Sequence, residues 1–301
     1  MSYSYTLYGL TIDSFVPLSQ TETKRPSVDI VIERGKTCPP NTWQYKGASI
    51  YVNECEIFYN IPGVANFTVR NGREIIVDPC PDVDTRKLRH ALFGEVLAIL
   101  LHQRGLLVLH ATSLAIHGKA TILLGTRGAG KSTLALALCR LGATVISDDI
   151  TVIQVNNRGT LSVLPGISQL GLWPDAVRAC GYDPERLPNV FDGTDKRVMG
   201  TTDTSTNVSL APKRIYKIEE TTAVDVERLS PQEAFRVLVG NTYWFGLVHA
   251  LDPETHFAHC ASVAAQTDVF RLRRPKTLDL VNDVAQHIIK DAVQGCRKKA
   301  G

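Results

Sequence analysis

The sequence lacks the features that mark secreted, membrane-spanning and zinc-ribbon proteins. Its seven cysteines are scattered, and no two of them form a CxxC pair or a zinc-ribbon spacing. The most apolar stretch, residues 91–110, is interrupted by charged and polar side chains, so it does not predict a membrane span. No cationic segment followed by an apolar core is visible near Met1. These absences predict a cytoplasmic protein in a reducing compartment, with no membrane partner.

Strong charge is also missing. The formal net charge is only +3, from 33 basic and 30 acidic residues, which gives no sign of a nucleic-acid partner. No internal repeat or low-complexity segment is present. Hydrophobic residues make up 44% of the 301, enough for a large buried core, and this length predicts about two domains.

The first part of the chain is rich in predicted strands. Short β-branched or aromatic runs between turn residues predict strands at residues 28–33, 48–53, 56–59, 66–69 and 74–77. Asn71-Gly72 predicts a type I′ hairpin, because both central residues of that turn need positive φ. We therefore expect a β-rich N-terminal domain over residues 1–83.

The rest of the chain predicts an α/β domain over residues 84–296, followed by a short basic tail at 297–301. An amphipathic pattern predicts a helix from 84 to 104 that ends at Gly105. The order strand, glycine-rich loop, helix, strand then predicts a βαβ unit. The region from 163 to 206 looks irregular. The remaining predicted elements are strands at 106–116, 120–124, 144–146, 214–218, 224–229 and 269–273 and helices at 133–141, 231–239 and 277–293.

The segment GTRGAGKS at residues 125–132 matches the pattern GxxxxGK[ST] at every fixed position. A predicted strand precedes it and a predicted helix follows, as a phosphate cradle requires. Lys131 is expected to neutralise the phosphates, and the hydroxyl of Ser132 to hold Mg²⁺. The predicted nucleotide-binding residues are Gly125, Arg127, Gly128, Ala129, Gly130, Lys131, Ser132 and Thr133.

Two adjacent carboxylates follow the next predicted strand, in Ser147-Asp148-Asp149. Neighbouring residues at a strand end point in different directions. One carboxylate can then face the metal while the other takes a proton from an incoming hydroxyl. His110 lies on the strand paired with the one that enters the glycine-rich loop. The alternatives are a turn or helix-capping role for the acids and a core position for the histidine.

Three weaker signals lie outside this motif. Lys196 and Arg197 are candidates to close over the phosphates, although solvated surface charge explains them equally well. A basic cluster near a strand end, Arg271, Arg273, Arg274 and Lys276, is a candidate site for a carboxylate or a nucleotide. His256, His259 and Cys260 have no fourth ligand nearby, so the sequence does not predict a zinc site there.

Three features in this order resemble the catalytic core of the HPr kinase/phosphorylase family. They are His110-Ala111-Thr112-Ser113, the glycine-rich loop and Ile146-Ser147-Asp148-Asp149, with Asp148 17 residues beyond Lys131. The resemblance implies a P-loop domain of the HPr kinase C-terminal type behind a smaller β-rich domain. It also implies an ATP- and Mg²⁺-dependent protein-serine kinase and a possible homo-oligomer. Asp148 would be the general base, Asp149 would lie toward the metal, and His110 would lie beside the reacting phosphate.

The later sequence departs from that family. Its long signature after the double aspartate is replaced by LPGISQLGLWPD at residues 164–175. Four segments are similar in sequence to the lasso-peptide tailoring kinases. They are this stretch, Lys196-Arg197, residues 228–231 and residues 269–275. The similarity implies phosphorylation of the C-terminal serine of a ribosomal precursor peptide. The alternatives are a kinase for HPr or another carrier protein and a nucleotide-gated regulatory module. No NKxD motif is present to read guanine.

Overall fold

A computed structural model describes residues 2–18, 27–54, 56–200 and 208–297, and it is a mixed α/β protein. The chain forms two compact units. The first unit contains residues 1–108, 190–193 and 243–257, and the second contains residues 109–189, 194–242 and 258–301. The units therefore divide the chain after Val108, whereas the expected domain boundary was between residues 83 and 84. The predicted tail at 297–301 lies outside the described residues apart from Arg297.

An eight-stranded sheet dominates the first unit, in the order β1-β2-β3-β8-β7-β6-β5-β4. The β7–β8 hairpin has positive φ at Asn71 (51°) and Gly72 (62°), so the predicted primed turn is confirmed. All five predicted strands are present. The strands are β1 (Tyr3–Leu7), β2 (Leu10–Ser14), β3 (Ile30–Arg34), β4 (Tyr45–Lys46), β5 (Ile50–Val52), β6 (Glu56–Ile61), β7 (Ala65–Arg70) and β8 (Glu74–Pro79).

Helical turns continue from Thr85 to Gln103, where the sequence predicts one amphipathic helix. Asp84 caps the start by accepting a hydrogen bond from the amide of Arg86. Helices α1 (Thr85–Ala91) and α2 (Leu97–Gln103) are joined by one π-helical segment (Leu92–Val96). Helix α2 packs on β7, which explains why this stretch belongs to the first unit and not to the second.

The sheet of the second unit has the order β13-β12-β9-β10-β16-β18-β17, and β11 also pairs with β9. Both β10 and β11 are antiparallel to β9, so the predicted βαβ unit has β9 between its two parallel strands. The strands are β9 (Leu107–Ile116), β10 (Lys119–Leu124), β11 (Thr144–Ser147), β12 (Ile150–Val155), β13 (Leu161–Leu164), β16 (Pro212–Glu220), β17 (Asp225–Arg228) and β18 (Asp268–Arg274).

Helix α3 (Lys131–Arg140) packs against the C-terminal helix α8 (Val281–Arg297) in the core of the second unit. Leu134 and Leu138 of α3 and Val281 and Ile288 of α8 are fully buried in that cluster. This packing holds the first turn of α3 beside the carboxyl end of β10. Helix α5 (Pro231–Gly240) was predicted, whereas α6 (Phe245–Leu251) and α7 (Pro253–Gln266) were not.

The region predicted to be irregular contains regular structure, so that prediction was wrong as far as the described residues extend. Strands β14 (Gln169–Leu172) and β15 (Arg197–Gly200) pair with each other across 24 intervening residues, 173 to 196, and α4 (Pro174–Ala179) lies between them. Long-range pairing of this kind leaves no local periodic signal. Residues 201–207 lie outside the described part of the chain. In the part described, no helix is long and apolar enough to cross a membrane.

Candidate active site

The glycine-rich loop, Gly125–Gly130, connects β10 to α3. Gly128 and Gly130 have φ of 85° and 86°, a region that side-chain-bearing residues rarely adopt. Gly130 is the N-cap of α3, and no side chain caps the first-turn amides of this helix. The loop and the uncapped start of α3 therefore leave backbone N–H groups of the kind that bind phosphate, and phosphate binding itself stays a prediction.

Lys131 is almost completely buried at the start of α3. Its ammonium donates hydrogen bonds to the carbonyl oxygens of Gly125 at 2.8 Å and Thr126 at 3.3 Å. Burial lowers the pKa of Lys131, while the carboxylates of Asp149 and Asp148 act to raise it. The loop thus holds one desolvated cation near two acids, and an anionic ligand would stabilise that cation.

Asp148, which follows β11, accepts hydrogen bonds from three separate elements. They come from the Thr112 hydroxyl of β9 at 2.6 Å, the Ser132 hydroxyl of α3 at 3.1 Å and the Gly171 amide of β14 at 3.1 Å. Burial raises the pKa of Asp148 to about 6, and the charge of Asp149 raises it too. The bonds from Thr112 and Gly171 oppose that rise. Asp148 is therefore ionised at pH 7.5 and rigidly oriented.

Asp149 occupies a different environment, exposed and in the left-handed region with φ of 62°. Its carboxylate raises the pKa of both Lys131 and His110. We expected Asp149 to share the metal with Ser132. The structure instead pairs the Ser132 hydroxyl with Asp148. In the described residues, no group of three His, Cys, Asp or Glu side chains forms a metal site.

His110 lies in the first half of β9, next to Ala111, which pairs with Leu124 at the end of β10. The amide of His110 donates to the carbonyl oxygen of Asn241 at 2.8 Å. Its pKa is lowered by burial and then by the charge of Lys131, and Asp149 raises it. Arg127 and Lys196 lower it further. His110 is therefore close to both the loop and the double aspartate, and its place beside a reacting phosphate stays a prediction.

The adjacent residues Lys196 and Arg197 have side chains in different surroundings. Lys196 acts electrostatically on His110 and Lys131, and its ammonium lies 5.8 Å from the centre of the Trp173 ring. Arg197 instead hydrogen-bonds Asn189 and forms an ion pair with Glu185 at 3.4 Å. Only Lys196 is thus placed beside the other predicted site residues.

A cavity of about 290 Å³ lies along the loop on the side of β16 and β18. It is lined by Thr126 to Ala129, by Lys217 to Glu220, and by Arg274 and Lys276. Thr133 of α3 is partly buried and completes the set of predicted nucleotide-binding residues, all of which lie in the second unit.

Sequence reasoning missed several residues of the site. Thr112 and Gly171 orient Asp148, Asn241 contacts the His110 backbone, and Lys217 and Arg274 line the cavity. For Lys217 a signal existed, since it is a charged residue inside a predicted strand. Gly171 and Asn241 carry no such signal, because β14 and the end of α5 reach the site only through the fold.

The sequence matches no protein-family model. No curated protein matches it either. Among solved structures, the chain is similar to the Hpr(Ser) kinase/phosphatase from Coxiella burnetii, with 12% identity and a TM-score of 0.33. That match covers 64% of this chain and 99% of the other. Similarity at this level decides no activity, which must come from the side chains of the site.

Proposed function

We propose that the protein is an ATP- and Mg²⁺-dependent kinase that phosphorylates a serine hydroxyl of a peptide or protein. The observation that carries the proposal is the Ser132–Asp148 hydrogen bond, 3.1 Å long, at the end of a glycine-rich loop that also holds Lys131. A hydroxyl and a carboxylate in contact at a helix start form an oxygen donor pair that suits Mg²⁺.

Each residue has a task in that reaction. The amides of Gly128 and Gly130 to Ser132 and the ammonium of Lys131 would bind the polyphosphate, and Ser132 with one aspartate would hold Mg²⁺. The metal, when bound, supplies neutralising charge on the transferring phosphoryl group. The acceptor serine oxygen would bond to the terminal phosphorus of ATP while its proton goes to the other aspartate, and the bond from that phosphorus to the bridging oxygen of the leaving ADP would break.

The contact between Ser132 and Asp148 favours a particular division of labour. It assigns Asp148 to the metal and leaves the exposed Asp149 for the acceptor hydroxyl, the reverse of the roles that the family resemblance implies. D148N should then raise the Mg²⁺ concentration needed for half-maximal transfer. D149N should lower kcat by about 10²- to 10⁴-fold without changing that Mg²⁺ requirement, the range typical for a lost general base. The opposite pattern would restore the family assignment.

For the acceptor, we propose the C-terminal serine of a lasso-peptide precursor, supported by the sequence similarity of residues 164–175 and 269–275. HPr or another carrier protein is the alternative acceptor. The test is intact-mass measurement of a precursor peptide ending in serine, and of HPr, after incubation with the protein, ATP and Mg²⁺. A gain of about 80 Da, one phosphoryl group, on the peptide alone supports the lasso proposal.

A gain on HPr alone would replace the peptide acceptor with a carrier protein. K131M is the control for contaminating kinases, because it removes the buried ammonium from the loop. If neither acceptor gains mass while ATP still binds, the kinase proposal fails and a nucleotide-gated regulatory module replaces it.

A further inference from the structure

Lys217 lies beside the point where the chain enters the glycine-rich loop. Strand β16 runs parallel to β10, and their register sets Lys217 opposite Leu124, the residue before Gly125. The side chain of Lys217 lines the cavity together with Thr126 to Ala129. Parallel neighbours end at the same edge of a sheet, so the carboxyl end of β16 delivers this lysine to the loop.

Asn241 orients the Lys217 ammonium. The Asn241 side-chain amide donates to the carbonyl oxygen of Val237 at 2.6 Å, so its carbonyl end faces the other way and accepts from Lys217 at 3.1 Å. The backbone carbonyl of Asn241 accepts from the amide of His110 at 2.8 Å. One buried asparagine thus links Lys217 to the strand that carries the site histidine.

The charge of Lys217 is poorly compensated. Burial lowers its pKa, and only Glu219 acts to raise it. The charge of Lys217 lowers the pKa of Lys131. Both side chains lie at the glycine-rich loop, because Lys217 lines the cavity with Thr126 and the Lys131 ammonium bonds the Thr126 carbonyl oxygen. Among the described residues, no carboxylate lies within ion-pair distance of either lysine, whereas the exposed Lys276 on the same cavity lies 3.9 Å from Glu220. A bound anion with more than one negative charge would stabilise both of these desolvated ammonium groups.

We propose that Lys217 is a second phosphate-binding lysine, which together with Lys131 binds the terminal phosphate of a nucleoside triphosphate. This inference rests on the proposed function, because it takes the glycine-rich loop as the phosphate site. A lysine ammonium has three N–H donors, and the described contacts of Lys217 use one of them. The other two are available to phosphate oxygens. Asn241 is the positioning residue that turns the ammonium toward them.

Nucleotide affinity tests the proposal, measured by calorimetry with Mg²⁺ and either the non-hydrolysable β,γ-imido analogue of ATP or ADP. K217M should weaken binding of the ATP analogue by about 10- to 100-fold, the range for losing one hydrogen bond to a charged group. ADP binding should change far less, because ADP lacks the terminal phosphate. K217R, which keeps the charge, should recover part of the loss.

K213M is the matched control, since Lys213 lies on the same strand but does not line the cavity. It should bind both nucleotides as the wild type does. If K217M does not fold, K217Q replaces it, because glutamine retains a hydrogen bond to Asn241. Wild-type affinity for the ATP analogue in these variants, or an equal loss for ATP analogue and ADP, overturns the role of Lys217. A wild-type protein that binds neither nucleotide overturns the proposed function itself.

Discussion

Strand β18 carries arginines on both of its faces, and the surroundings of the arginines differ between the two faces. Arg271 and Arg273 point to the outer face, where carboxylates surround them. Arg271 forms ion pairs with Glu219 at 3.5 Å and Glu227 at 2.9 Å, and Arg273 pairs with Asp225 at 2.6 Å. These two guanidinium groups are neutralised by their neighbours, so the sequence-based idea that they bind a substrate carboxylate loses its basis.

Arg274, one residue later, points inward and is only 3% exposed. Its guanidinium donates to backbone carbonyl oxygens, those of Ala129 at 3.3 Å, Pro275 at 3.4 Å and Thr277 at 3.5 Å. Burial lowers its pKa, with Glu220 opposing. Alternation along a strand separates these roles. Arg271 and Arg273 on the outer face form ion pairs with carboxylates, and they share Glu227. Arg274 on the inner face instead donates a hydrogen bond to the glycine-rich loop.

The largest expected effect comes from adding one methyl group to the glycine-rich loop beside Arg274. A Cβ on Gly130 would overlap Nη2 of Arg274, whereas a Cβ on Gly128 would meet nothing within 4 Å at almost the same φ. G130A should therefore cost about 3 kcal/mol of unfolding free energy and G128A only about 1–2, the cost of the backbone conformation alone. Urea denaturation without nucleotide measures both.

The same pair can be repeated in an R274M background. If contact with Arg274 causes the extra loss, the difference between G130A and G128A should vanish there. A difference that persists would show that Arg274 is not what makes Gly130 special.

Removing Arg274 itself is expected to have the next largest effect. R274M leaves the carbonyl of Ala129 without its guanidinium donor and should lower the unfolding free energy by about 2 kcal/mol. Because the guanidinium is buried, 0.5 M NaCl should change that loss little. A loss that disappears in salt would class Arg274 with the arginines of the outer face.

The buried carboxylate of Asp148 should make the unfolding free energy depend on pH. Its pKa is 3.8 in the unfolded state and about 6 in the folded protein, so wild-type stability falls as pH rises through that interval. D148N has no such titration. The stability of D148N relative to wild type should increase by about 1–2 kcal/mol from pH 4 to pH 7, after allowance for its partial exposure. A flat difference across that range would contradict the raised pKa.

The smallest effect belongs to the outer face. R273M removes ion pairs with Asp225 and Glu227 from a partly exposed surface and should cost less than about 1 kcal/mol. High salt should reduce that cost further. A loss as large as that of R274M would erase the distinction between the two faces.

Local signals in the sequence predicted a large part of the fold. The hairpin at Asn71-Gly72, the helix that begins after Asp84 and the strand, loop and helix around Gly125 to Lys131 all depend on neighbouring residues. The β14–β15 pair and helices α6 and α7 were not predicted. Pairing between strands that are distant in sequence depends on which strand edges the rest of the fold leaves unpaired, and neighbouring residues carry no information about those edges.

The candidate site shows the same limit. Its glycine-rich loop and double aspartate were recognised from spacing, and the structure brings them together with His110 and Lys196. The sequence could not separate Lys196 from Arg197, because the two are adjacent and only Arg197 meets Glu185. It also could not tell which aspartate meets Ser132, since that depends on the direction in which each side chain leaves the end of β11.

The sequence by itself determined the glycine-rich loop between β10 and α3, because the conformation of that loop depends on the glycines and the helix start that follow one another in the chain. Only the tertiary structure decided which charges act there. Lys217, Asn241 and Arg274 reach the loop from β16, the end of α5 and β18, and each of the three residues is at least 86 positions beyond Lys131. Whether a cation is neutralised by carboxylates or left desolvated beside the loop depends on the strand face and the neighbouring strand, and both are set by packing.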